Sequence, residues 1–163
     1  MKKQLGFTLI EMMAVLGVIT ILALMALPSY LDRIMRAQIE ESLTLADIAK
    51  KPIAAAWTSL QMFPDDNAAA ALPPPEKIVS NYVTSLTVDH GAIHLVFSDR
   101  ANTAIHGKTL TLRPAVVEDA PVVPIAWICG YADAPEKMVA QGQNRTNVPK
   151  QLLPMSCRGS AQK

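Results

Sequence analysis

The sequence predicts an α+β fold: a long N-terminal helix with an apolar first half, packed under a roughly four-stranded antiparallel sheet, and a C-terminal disulfide-bonded loop. Three patterns predict it. The run Met12–Leu31 carries no charged side chain. From Leu31 to Leu60, apolar residues recur at spacings of three and four, which marks one buried face of a helix. Between Tyr82 and Cys129, four short runs of strand-forming residues are separated by turn residues, which is how a small antiparallel sheet reads.

The uncharged run supplies the roughly 20 apolar residues that a helix needs to cross a bilayer core. The rest of the chain is too small to enclose such a helix on every side. Lys2 and Lys3 precede the run, whereas Asp32 and Arg33 cancel after it. Basic flanks stay cytoplasmic, so a single pass with the N-terminus inside is expected, with the remaining chain across the membrane. Tyr30 near the far end suits an interfacial aromatic. Glu11 stands at the edge of the run, and a carboxylate there is read as functional unless it reaches the headgroups.

A secretory signal places its apolar segment before a cleavage site. Here the order is reversed: a short charged leader ends at Gly6 and the apolar run follows. The segment KKQLGFTLIEMMAVLGVITILALMALPSYLDRIMRAQ resembles the N-terminus of type IV pilins and of the related type II secretion pseudopilins. The resemblance implies cleavage by a prepilin peptidase after Gly6, N-methylation of the new N-terminal Phe7, and an assembly role for Glu11. A freed Phe7 amine would be neutralised by Glu11 of a neighbouring subunit, because an uncompensated charge in an apolar filament core is strongly penalised. That pairing would set the register of each added subunit. Many relatives carry glycine where Thr20 stands here, so the segment before Pro28 either softens between Gly17 and Pro28 or is held helical by Thr20 bonding back to a carbonyl.

Beyond the anchor, Leu31, Met35, Ile39, Leu43, Ala46, Ala49, Ile53, Trp57 and Leu60 form the stripe, with Asp32, Arg36, Glu40, Asp47 and Lys51 on other faces. One helix from Phe7 to about Met62 is expected. Pro28 should kink it, and Pro52 should bend it or begin a separate helix. Residues 63–77 read as an exposed loop, with a turn at Asp65–Asn67 and extended geometry at Pro73–Pro75. Strands are expected at 82–88 and 92–97 around a tight Asp89–His90–Gly91 hairpin. Two more are expected at 109–113, with an extension past Pro114, and at 125–129. The last segment has little periodicity, and a Cys129–Cys157 disulfide would pin it to the final strand. GKTLTLRP, WICGY and TNVPKQLLPMSC are similar to pilin strands and to the pilin C-terminal loop. Major pseudopilins typically lack this cysteine pair, so the likeness favours a type IVa-like major pilin.

The boundaries expected are a leader at 1–6, a transmembrane or filament-core helix at 7–31, an amphipathic half at 32–62 and a globular head at 63–163. The chain has 163 residues with 15 basic and 14 acidic side chains. Loss of Lys2 and Lys3 turns that slight basic excess into a slight acidic one, unlike a nucleic-acid-binding domain. His90, His94 and His106 have no metal-ligand spacing, and no nucleophile elbow or phosphate loop occurs. No catalytic residue, metal or cofactor is therefore expected. Asn144–Thr146 fits the N-glycosylation pattern, and Lys137, Arg145, Lys150 and Arg158 make the C-terminal loop locally basic. The resemblance implies a structural pilus subunit, residing in the inner membrane before assembly and in an extracellular filament afterwards. The filament would serve adhesion, twitching motility or DNA uptake. The partners implied are further copies of the chain, prepilin peptidase, the inner-membrane assembly machinery, and DNA or host or abiotic surfaces. The alternatives are a minor or competence pilin that binds DNA, and a secretion pseudopilin.

Overall fold

A computed structural model describes residues 6–160, the side chains of 26–29 apart. Lys2, Lys3 and the kink expected at Pro28 lie outside the described residues. The chain divides into two units, one ending at Ile34 and one beginning at Met35. In the first, the N-terminal part of helix α1 (Leu9–Leu45) leaves its apolar side chains exposed. The Thr20 hydroxyl donates to the Leu16 carbonyl at 2.7 Å. The stretch is helical in this single chain.

In the second unit, Met35 and Ile39 of α1 are buried, and α2 (Asp47–Leu60) continues the stripe with Ala49 and Ile53. The single helix expected to Met62 is thus two. The ladder tightens at Ala46, whose N–H donates to the Leu43 carbonyl at 3.1 Å. This break lies upstream of Pro52, which sits inside α2 and cannot donate to Ile48. Gln61, in left-handed conformation with φ 53°, ends α2. Leu31 and Leu60, the outer members of the stripe, are exposed.

The sheet runs β1 (Val83–Asp89), β2 (Ala92–Phe97), β3 (Thr109–Val116), β4 (Ala126–Cys129), all antiparallel neighbours in that order. A fifth strand, β5 (Val139–Ala140), was not expected. It pairs with Ala115 and Val116 of β3, where β2 has already ended. Pro114 is tolerated inside β3 because it falls at this change of neighbour. The β1–β2 hairpin turns on His90 and Gly91, both at positive φ, as a right-twisted two-residue turn requires. Gly91 is doubly fixed: a Cβ there would stand 2.7 Å from the Phe63 ring.

Alternation assigns the two faces. Leu86, Val88, Ile93, Leu95, Leu110 and Leu112 are buried in the core that includes Ile39, Ala46, Ala49 and Ile53. The row Thr87–His94–Thr111 crosses the opposite face. His94 and Thr111 are nevertheless buried, because the C-terminal segment lies over them. Thr111 Oγ1 accepts the Arg145 N–H at 3.0 Å, and Gly142 abuts Ala92.

Candidate functional site

Two regions carry chemistry beyond packing. The first is the start of α1. The Thr8 N–H and hydroxyl both donate to Glu11 Oε2, at 2.8 and 2.7 Å, and the Thr8 hydroxyl oxygen faces the Glu11 N–H at 3.3 Å. This is a reciprocal capping box. Sequence reasoning passed over Thr8, although the T-x-x-E spacing before an apolar run is its signal. The box spends one carboxylate oxygen within the chain and leaves Oε1 for a second donor. Among the described residues, a Cβ at Gly6 would meet nothing within 4 Å. Phe7 is 83% exposed, and the large apolar side chains from Leu9 to Met25 are exposed as well. The helix is long and apolar enough to cross a membrane, by length and composition.

The second region is the C-terminal segment. Cys129 and Cys157 are joined as expected, and Cys157 is fully buried in the core around Met35, Phe97 and Leu153. Around this staple the polar groups close on one another. Arg158 donates to the Leu153 and Gln151 carbonyls. The Tyr131 hydroxyl donates to the Thr146 carbonyl at 3.0 Å, and the Lys150 ammonium lies 5.1 Å over the Tyr131 ring. The Asn144 amide donates to the Gly130 carbonyl and its oxygen accepts the Thr146 N–H. Asn144 is thus committed to the fold on both sides, which disfavours its use as a glycan acceptor. Three of the four basic residues named above likewise spend their charge within the chain, since Arg145 pairs with Asp89.

Asp89 is the meeting point of this region. His90 Nδ1 lies 2.6 Å from its Oδ1, and Arg145 donates to Oδ2. His94 Nε2 is 3.9 Å from that same Oδ2. The His90 hydrogen bond, and then the Arg145 charge, hold the Asp89 carboxyl below the usual carboxylate range against its partial desolvation. His90 is raised in turn by its bond to Asp89 and by the Asp65 carboxylate. Burial, reinforced by Arg145, pushes His94 down to about 4. Spacing along the chain gives no hint of this cluster, because Arg145 and Asp89 lie 56 residues apart.

The loop 63–77 also departs from expectation. The turn is present, with the Ala69 N–H donating to Asp66 Oδ1 at 2.7 Å. Asn67, however, is buried. Its amide donates to the Leu86 and Pro73 carbonyls, and its oxygen accepts the Val88 N–H at 2.6 Å. One side chain thereby covers the outer edge of β1, which would otherwise offer unpaired strand groups. Asn67→Ala should cost about 2–4 kcal/mol, because two buried backbone groups, the Leu86 carbonyl and the Val88 N–H, lose their partner. Urea unfolding of the detergent-solubilised chain measures this, and a loss under about 1 kcal/mol would show that water replaces the amide.

Comparison with known proteins agrees with this geometry. A family model described as pilin, a bacterial filament protein, matches residues 35–158. A second, for the prokaryotic N-terminal methylation motif, matches residues 1–27. The chain is 34% identical over 164 residues to the type IV major pilin protein PilE1 of Neisseria gonorrhoeae, covering 97% of this chain and 89% of that one. It is 32% identical over 161 residues to the fimbrial protein EcpC of Eikenella corrodens, covering 97% and 93%. It is 30% identical over 167 residues to a fimbrial protein of Neisseria meningitidis serogroup B, covering 97% and 96%. An N-terminal methylation motif, an exposed apolar helix and a disulfide-stapled sheet thus coincide in one chain, and the chain belongs to the pilin family of bacterial filament proteins.

Proposed function

We propose that this chain is the structural subunit of a type IV pilus, polymerising through α1 into a cell-surface filament. The observation that carries the reading is the apolar surface from Phe7 to Met25, exposed on the part of α1 that precedes its buried residues Met35 and Ile39. Such a surface needs lipid before assembly and neighbouring copies of the same helix afterwards. Lipid is as apolar as leucine, so the exchange is nearly neutral in energy. Direction and register must then come from elsewhere, and the pairing of Glu11 with a neighbour's Phe7 amine supplies them.

Processing precedes assembly. Prepilin peptidase cuts between Gly6 and Phe7, releasing the leader 1–6, and Phe7 is then methylated. The match of residues 1–27 to the N-terminal methylation motif supports a glycine kept for recognition by a peptidase. Residues 7–31 act as the membrane anchor and filament core, 32–62 as the amphipathic half and 63–163 as the exposed head. The precursor spans the inner membrane once with its N-terminus cytoplasmic, and inner-membrane machinery extracts it. The disulfide supports a pilin over a secretion pseudopilin. The internal pairing of Arg145, Arg158 and Lys150 supports a filament subunit over a DNA-binding minor pilin. The head's surface then sets whether attachment, twitching or DNA uptake dominates.

Gly6→Ala should leave the precursor uncut in cells that process the wild type. N-terminal sequencing checks this: wild-type chains begin at Phe7 and variant chains retain the lysines. A variant that still begins at Phe7 would refute the assigned cleavage point.

A further inference from the structure

The sheet face opposite the helices carries a polar cluster that the assembly role proposed for α1 does not draw on. Asp89 closes β1, His90 forms the turn, His94 lies in β2, Thr111 lies in β3, and Arg145 reaches across from the C-terminal segment. His94 is buried, and its Nε2 has no hydrogen-bond partner among the described residues. Thr111 Oγ1 accepts the Arg145 backbone N–H and lies 2.9 Å from His94 Nδ1. When the hydroxyl donates to Nδ1, the neutral ring carries its proton on Nε2, directed toward Asp89 Oδ2. Arg145 already occupies that oxygen. Two basic groups therefore face one carboxylate oxygen, His94 from the buried side and Arg145 from the partly exposed side.

We propose that Asp89 is an exchangeable clasp: at neutral pH it holds the C-terminal segment through Arg145, and on acidification His94 takes Arg145's place and frees residues 142–147 from the sheet. The groups facing His94 are Asp89 from β1, Arg145 from the C-terminal segment and Thr111 from β3, with His90 and Asp65 one contact further out. Protonation at Nδ1 turns the Thr111 hydroxyl hydrogen away and adds a positive charge beside Arg145. The conflict is relieved when the guanidinium leaves for water and His94 closes on Asp89.

The signs of the two histidines are opposite. His94 is depressed to about 4 from an ordinary value of 6.5. A state in which Arg145 and its segment have left His94 therefore binds a proton first, and opening gains as pH falls from about 6.5 toward 4. His90 is raised, so its pairing with Asp89 strengthens as acid arrives. Only His94 drives release. Besides the clasp, the segment is held to β3 by Arg145 N–H to Thr111 Oγ1, Thr111 N–H to Thr146 Oγ1, Thr109 N–H to Asn147 Oδ1 and Asn147 N–H to the Thr109 carbonyl. Beyond β4 it is held by Asn144 to the Gly130 carbonyl and the Tyr131 hydroxyl to the Thr146 carbonyl, so release requires that the cost at Asp89 outweigh these bonds. The disulfide at Cys157 keeps the freed loop tethered.

Hydrogen exchange of the full chain in detergent micelles, corrected for the intrinsic chemical rate, tests this. Between pH 7 and 4.5 the amides of Thr109, Thr111, Arg145 and Asn147 should exchange roughly 50-fold faster. Those of the β1–β2 ladder should change little. His94→Gln, which cannot titrate, should flatten the response, and Arg145→Gln should open the segment already at pH 7. If the His94→Gln chain does not fold, Asp89→Asn takes its place, with fast exchange of these amides expected at both pH values. A wild-type response spread evenly over the sheet, no response, an undiminished response in His94→Gln, or slow exchange of these amides at pH 7 in Asp89→Asn would each overturn the proposal.

Discussion

Glu11→Ala is expected to be processed at Gly6 and yet to yield at least about tenfold fewer surface filaments than wild type, because each added Phe7 amine would enter the apolar core without a counter-charge. The capping box complicates that single variant, since alanine removes two functions together. Glu11 caps α1 through Thr8 in its own chain, and it is assigned a neighbour's amine through the remaining oxygen. Glu11→Gln separates the two. Glutamine serves in a capping box as well as glutamate does, but it carries no charge. If register depends on the charge, the glutamine variant assembles about as poorly as the alanine variant. If Glu11 only starts the helix, the glutamine variant assembles like wild type, and the role assigned to the carboxylate is wrong. Thr8→Ala gives the complement: it loses the cap, keeps the charge, and should cost less filament than either. Filament mass recovered by shearing, normalised to processed subunit in the membrane, is the measure for all three.

Removal of the disulfide is the largest effect expected within the head. Cys129 and Cys157 close a loop of separation 28, worth roughly 3–4 kcal/mol on the chain-entropy account. The staple also fixes packing, because both cysteines belong to the core with Met35, Phe97 and Leu153. The carbonyl of Cys157 accepts the Tyr131 N–H at 2.9 Å. The double variant Cys129→Ala/Cys157→Ala should therefore melt about 10 °C or more below wild type. Thermal unfolding of the detergent-solubilised chain by circular dichroism reads this. A difference within about 2 °C would mean that hydrogen bonds alone secure the C-terminal segment.

Where the chain's own periodicity dictates structure, the sequence was legible. The uncharged run, the three-and-four stripe, the Asp89–Gly91 turn and the strands around it follow from residue spacing; the turn and its strands are found within a residue or two, and the buried part of the stripe runs from Met35 to Ile53. The division of the helix at Ala46 was not legible, because the visible breaker was Pro52 and an alanine carries no signal for a tightened turn. The role of Asn67 was hidden for a different reason. An Asp–Asp–Asn triplet reads as turn chemistry, and only the arrival of Leu86 and Val88 from another element makes its amide a cover for a strand edge. β5 is two residues long and owes its existence to the free flank of β3 beyond β2. At the assembly segment, Gly6, Phe7 and Glu11 stood out by resemblance, whereas Thr8 was readable from local spacing and was missed. The Asp89 cluster lies beyond local reading, since three strands and the C-terminal segment must fold before its charges meet.

The composition of filaments sheared from the cell surface decides whether this chain builds them. Intact-mass and N-terminal analysis of purified filaments should find this chain as the main component, starting at an N-methylated Phe7. Filaments built mainly of another protein, or containing this chain with Met1–Gly6 still attached, would contradict it.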